Sequence, residues 1–298
     1  MVETAFHPRP LAPTPDTALT RVLLMALESP ADMVASGFAG LVAREHHAAL
    51  DIARVVPVPA PATDVWALAP DMTCIDAVAD AHARGEAYCA ALKVRLEKQG
   101  IAVTARIVEA MGIASAVAAA REARRADLVV MGRPSSASTD RRTAHTHFAT
   151  TLIESGRPVV VVPSDFKLVA APPRRVIVAW SHAPQAMRAV NDALPLLRRA
   201  ERVDVLMVDP APTALERAGE FGAAITAHLE RHGVTCCIVV ERSRGRPMGQ
   251  TILERASRSH AQLIVAGGYG HSRVRRWALG GTTRTLYRHA SVPVLFSH

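Results

Sequence analysis

The chain repeats itself. Leu96-Glu-Lys-Gln-Gly100-Ile101 returns as Leu229-Glu-Arg-His-Gly233-Val234, Asp127-Leu-Val-Val-Met-Gly132 as Gln262-Leu-Ile-Val-Ala-Gly267, and Pro158-Val-Val-Val as Pro293-Val-Leu-Phe, at separations of 133, 135 and 135 residues. Arg21-Val22 matches Arg175-Val176 at a separation of 154, so the first copy carries an insertion of roughly 20 residues. Residues 57–73, rich in proline and without helical periodicity, supply it as a long surface connection. Two homologous units are the economical explanation of a chain of 298 residues, which is long enough for each unit to bury its own core.

Within each unit, short apolar runs alternate with helical stripes. In the first, Arg21–Ala26, Leu50–Val56, Ile101–Val108, Leu128–Met131 and Pro158–Val162 read as strands, with helices over Asp32–His47, about Val78–Leu96 and about Ala114–Arg125. Gly100 is the expected cap of the second helix. In the second unit Val176–Trp180 and Val203–Val208 read as strands 1 and 2. Strands alternating with helices imply right-handed crossovers and a parallel sheet covered on both faces, an α/β doubly wound architecture. The expected boundaries are 20–163 for the first domain, 164–173 for a linker containing Pro172-Pro173, and 174–298 for the second domain. Residues 1–19 are expected to form a disordered lead-in, with prolines where a secretory signal would carry an apolar core.

Composition narrows the class of function. No apolar run approaches the roughly 18 residues of a membrane span, which predicts no membrane partner. Cys74, Cys89, Cys236 and Cys237 form no C-x-x-C pair, and they are expected to be buried, reduced thiols of a cytoplasmic protein. The net charge of +8 is uneven: residues 174–298 hold 18 Arg, no Lys and 9 acidic residues, hence +9. Such a surplus suits an anionic partner, whether a nucleotide, a nucleic acid or an acidic protein, and equally suits a solvated arginine-rich surface. Against nucleic acid stands an aromatic content of 4%, too low for stacking platforms.

The densest signal lies at Leu263-Ile-Val-Ala-Gly267-Gly268-Tyr-Gly270, followed by Gly280-Gly281-Thr282-Thr283. A buried strand empties into a glycine loop, and a helix starting near Thr282 would aim free N–H groups at that loop. The spacing Gly267-x2-Gly270-x9-Gly280, closing with Ser-Val-Pro-Val-Leu, resembles the C-terminal nucleotide signature of the universal stress protein family. The resemblance covers both repeats, as a tandem protein with two flavodoxin-like (Rossmann-like) five-stranded sheets of order 3-2-1-4-5. It implies that Ala179, Ser181 and Val208 border adenosine, and that Gly267, Gly270, Gly280, Gly281, Thr282 and Thr283 border phosphate, the ligand being ATP or a related adenine nucleotide. Two departures weaken the match. Family members that bind nucleotide commonly carry Asp at the end of strand 1, where this chain has Ser181, and Ser or Thr directly after the last glycine, where it has Gly281.

Arg273, Arg275, Arg276 and His271 lie between the glycine clusters and either touch phosphate or face solvent. The first unit keeps only Gly132 of the signature, and Pro134 removes an amide there, so this half is expected to be a degenerate scaffold. His145 and His147 form an H-x-H pair without accompanying carboxylates or thiols, expected to be surface residues, and no metal is predicted. No P-loop, H-E-x-x-H or G-x-S-x-G occurs, so the expected function is regulatory binding or scaffolding in cytoplasmic stress adaptation rather than catalysis. The alternative is a member without nucleotide, acting through protein or nucleic-acid contacts of its basic half. Matching apolar edge strands at 158–162 and 293–296 are expected to satisfy each other as an internal pseudo-dimer, with further dimerisation open.

Overall fold

A computed structural model describes residues 19–58, 72–168, 171–209, 218–268 and 280–298. The first half contains β1 (Arg21–Ala26), α1 (Ala31–His46), β2 (Ala49–Val58), α2 (Met72–Glu97), β3 (Val103–Met111), α3 (Ser115–Ala123), β4 (Leu128–Arg133), α4 (Arg141–Glu154) and β5 (Val159–Pro163). The second contains β6 (Arg175–Ala179), α5 (Pro184–Leu197), β7 (Arg202–Val208), α6 (Ala218–Arg231), β8 (Cys236–Glu241), α7 (Met248–Arg258), β9 (Leu263–Gly267), α8 (Gly281–His289) and β10 (Val294–Ser297). Each half is a parallel five-stranded sheet in the order 3-2-1-4-5. The central strands are continuous apolar runs, Val22 to Ala26 and Leu128 to Met131 being at most 1% exposed, because helices cover both faces.

The two sheets are one. Strands β5 and β10 pair antiparallel, Val294 opposite Val161 and Phe296 opposite Val159, giving ten strands ordered β3-β2-β1-β4-β5-β10-β9-β6-β7-β8. The matching edge strands therefore close on each other, and β3 and β8 are left as the outer edges. Two apolar layers run the length of this sheet, one under α1, α2, α5 and α6, the other under α3, α4, α7 and α8. Across the seam Phe148 of α4 stacks on Tyr287 of α8 with ring centroids 4.7 Å apart and leans on Phe296 at 5.2 Å. Such aromatic pairs add ~0.5–1.5 kcal/mol beyond the area they bury.

Several expectations need correction. The connection at 57–73 is shorter, since Pro57 and Val58 continue β2 and Met72 and Thr73 belong to α2. Strand β3 starts at Val103, after Gly100 turns the chain with φ +75°. Helix α4 covers the stretch read as a degenerate loop, and its His147 is buried, not on the surface, while His145 is half-buried. Cys89 is buried, yet Cys236 is half-buried and Cys237 exposed on an outer strand that alternates its faces. The cysteine reading thus fails at Cys237. Among the described residues, no group of three metal-ligating side chains converges, and no helix is long and apolar enough to cross a membrane.

Candidate functional site

At the carboxyl ends of β6 and β9, where the strand order reverses, the second half opens into a cleft of about 260 Å³. Open α/β sheets take ligands at this position because successive helices leave the sheet in opposite directions there. Its floor is apolar, made by Ala179, Leu206, Val208, Ile252 and Ala266. Its rim is made by helix beginnings. Ala183, Gln185 and Ala186 come from the start of α5, Met248 from the start of α7, and Gly280, Gly281, Thr282 and Thr283 from the start of α8.

None of these three helices has a side-chain cap. The first amides of a helix lack intrahelical acceptors, and each helix start carries a partial charge of roughly +0.5. No Lys, Arg, Asp, Glu or His lines the cleft among the described residues, so its positive field comes from backbone. Such a field suits an anion and supplies no carboxylate to orient an attacking water.

Of the nine residues expected to border a nucleotide, Ala179, Ser181, Val208, Gly267, Gly280, Gly281, Thr282 and Thr283 all line this one cleft. Gly270 lies outside the described residues, as do His271, Arg273, Arg275, Arg276 and Trp277. Ser181 is exposed just beyond β6, whereas Thr283 is buried. The lining also includes Trp180, whose indole N–H is buried without a hydrogen-bond partner, and Met248 and Ile252, which the sequence reading missed. Their signal, an i, i+4 pair on an amphipathic helix, is indistinguishable from ordinary core packing.

The glycines divide by role. A Cβ on Gly267 would sit 2.7 Å from the carbonyl carbon of Gln185 and 2.8 Å from the amide nitrogen of Ala186, and one on Gly268 would sit 2.8 Å from a Leu152 methyl of the first half. Close packing against backbone therefore requires glycine at 267, whereas at 268 the obstacle is the end of a flexible side chain. A Cβ on Gly281 would meet nothing within 4 Å. Gly281 thus leaves open space at the first turn of α8, on the cleft side.

Against known families, residues 173–298 match the model of the universal stress protein family. Residues 173–298 belong to that family. A universal stress protein from Archaeoglobus fulgidus, 19% identical, superposes with a TM-score of 0.68 over 93% of this chain and 95% of that one. A functionally unknown protein from Pseudomonas aeruginosa, 12% identical, superposes at 0.55 over 94% and 92%. These likenesses show the fold, and they extend it to the half that precedes the universal stress protein domain. No curated protein matches the chain.

The first half places different groups at the equivalent crevice. Gly132 packs against Ala31 as Gly267 packs against Gln185, which aligns Asp32 with Ala186 of the universal stress protein domain. Asp32 is fully buried, accepting hydrogen bonds through Oδ2 from the Leu27 and Ser29 amides at 2.8 and 3.2 Å and from the Tyr88 hydroxyl at 3.2 Å. Its Oδ1 has no partner. Burial pushes the carboxyl up to about 6, against the pull of those hydrogen bonds. His147 aligns with Thr282, as Pro158 aligns with Pro293. Its Nδ1 lies 3.0 Å from the Thr143 carbonyl oxygen, its Nε2 is buried without a partner, and burial holds the imidazole below the usual histidine range.

Proposed function

We propose that the chain is a tandem universal stress protein with domains at 20–163 and 174–298, which binds ATP or a related adenine nucleotide in its second domain and acts as a non-catalytic regulator or scaffold in cytoplasmic stress adaptation. The observation that carries this reading is the convergence of three uncapped helix starts on an apolar-floored cleft at the strand-order reversal. Backbone amides of α8 would hold phosphate, while Ala179, Val208 and Leu206 would face the base and Ser181 a ribose or base edge. Ser181 in place of a carboxylate removes a strong acceptor for the ribose hydroxyls, so the affinity is expected to be modest. At most one nucleotide per chain is expected, because the first crevice presents Asp32 and His147.

The test is calorimetric titration of ATP into the full chain at moderate salt, together with mass spectrometry of any nucleotide released on denaturing the purified protein. One saturable site is expected. Gly281→Asp should weaken ATP at least tenfold, ~1.4 kcal/mol, by setting a carboxylate against the phosphate, and an acid in a first helical turn does not endanger folding. Two equivalent sites, no site, or unchanged affinity in Gly281→Asp would overturn the reading.

A further inference from the structure

A second cleft, of about 630 Å³, opens on the seam between the halves. The first half contributes Arg133 at the end of β4, the following Ser135 and Ser136, and Arg141, Arg142 and His145 from the start of α4. The second half contributes Arg288, His289 and Ser291 from the end of α8. Among the described residues, the one acidic group lining it is Asp165, 3.9 Å from Arg133.

These arginines are not equivalent. Arg133 is committed to structure: its two terminal nitrogens donate to the Tyr287 and Ala290 carbonyl oxygens at 2.8 and 2.7 Å, closing the carboxyl end of α8 from across the seam. That fork neutralises the negative end of the α8 dipole, which would otherwise repel an anion from the cleft. Arg141 donates to the Ser136 carbonyl oxygen at 2.9 Å and orders the wall. Arg142 and Arg288 are exposed, and among the described residues no acidic side chain pairs with either. They face the same space from opposite halves. Helix α4, 14 residues long, starts at this wall without a side-chain cap, its positive end partly offset by Asp140 at the N-cap. Burial, followed by the Arg288 and Arg284 guanidiniums, holds His145 below the usual histidine range.

We infer that this seam cleft is a second anion site, one that takes a compact chain of phosphates bridging Arg142 of the first half and Arg288 of the second. A guanidinium can take phosphate oxygens in bidentate fashion, and a chain of two or three phosphates offers such oxygens to both sides at once. Bound anion would tie α4 to α8 and so brace the seam.

The proposal is independent of the nucleotide cleft, and the Gly281→Asp variant separates the two. Inorganic tripolyphosphate titrated calorimetrically into Gly281→Asp at physiological ionic strength, where screening suppresses diffuse attraction, should show one saturable site. Adding Arg142→Gln and Arg288→Gln should weaken it tenfold or more. Both positions are exposed, so the fold is not at stake. A control pair, Arg242→Gln and Arg258→Gln, should leave the affinity unchanged. Absence of a saturable site, indifference to Arg142→Gln and Arg288→Gln, or equal weakening by the control pair would each overturn the proposal.

Discussion

The two crevices of this chain share a backbone plan and differ in what was placed on it. Where the second half has Ala186, Gly268 and Thr282, the first has Asp32, Arg133 and His147 at the repeat-equivalent positions. Each replacement is larger and polar, and each is engaged by other groups of the protein. Asp32 holds the turn before α1, Arg133 reaches across the seam to α8, and His147 bonds within α4. A duplicated sheet therefore constrains strands and helices but leaves the ends of the strands free to diverge, because loop-end side chains do not carry the sheet's packing.

That comparison can be broken most forcefully at the seam. Phe148→Ala removes a fully buried ring that touches Tyr287 and Phe296 of the other half, and is expected to cost ~3–5 kcal/mol. Urea unfolding followed by a far-ultraviolet signal should move as one transition; if only one half lost stability, the continuous sheet would not be a single cooperative unit.

Next in size is Asp32. Its folded carboxyl titrates near 6, above the ordinary 3.8, so the folded state holds the proton more tightly. The contribution is fully present below the unfolded value and is lost as pH rises from about 4 through 6, to the extent of roughly 3 kcal/mol. Asp127 and Asp204, whose carboxyls are held below the usual range, act in the opposite direction at lower pH. Asp32→Asn should consequently flatten stability between pH 4 and 7 relative to the parent, and parallel profiles would remove Asp32 from the account of the first crevice.

Smallest is the paired test Gly132→Ala and Gly267→Ala. Each new Cβ would lie about 2.7 Å from backbone of the adjacent helix start, so each should cost ~1–3 kcal/mol in chemical denaturation. Similar costs would show that the close packing was kept in both copies. A much smaller cost at Gly267 would return that residue to a ligand role.

Much of the architecture was legible because the strands are uninterrupted apolar runs and the repeat fixed their correspondence. Helix α4 was not legible. Its buried face is Ala144, His147, Phe148, Thr150, Thr151 and Leu152, half of it polar, so no apolar stripe marks its first two turns. Asp32 escaped for a related reason, since an acidic residue in a first helical turn ordinarily faces water. At the cleft, eight of the residues that the family resemblance implied line one space. Residue spacing could not tell that Gly267 and Gly268 answer to neighbouring backbone and to Leu152, because such contacts come from elements distant in sequence.

The antiparallel pairing of β5 with β10 also has a consequence for synthesis. The partner strand lies 135 residues downstream, from Val159 to Val294. At 5–20 residues per second, the first half waits roughly 7–27 s on the ribosome with Val159 to Val162 uncovered. A nascent chain in that interval presents the same apolar edge to any neighbouring nascent copy.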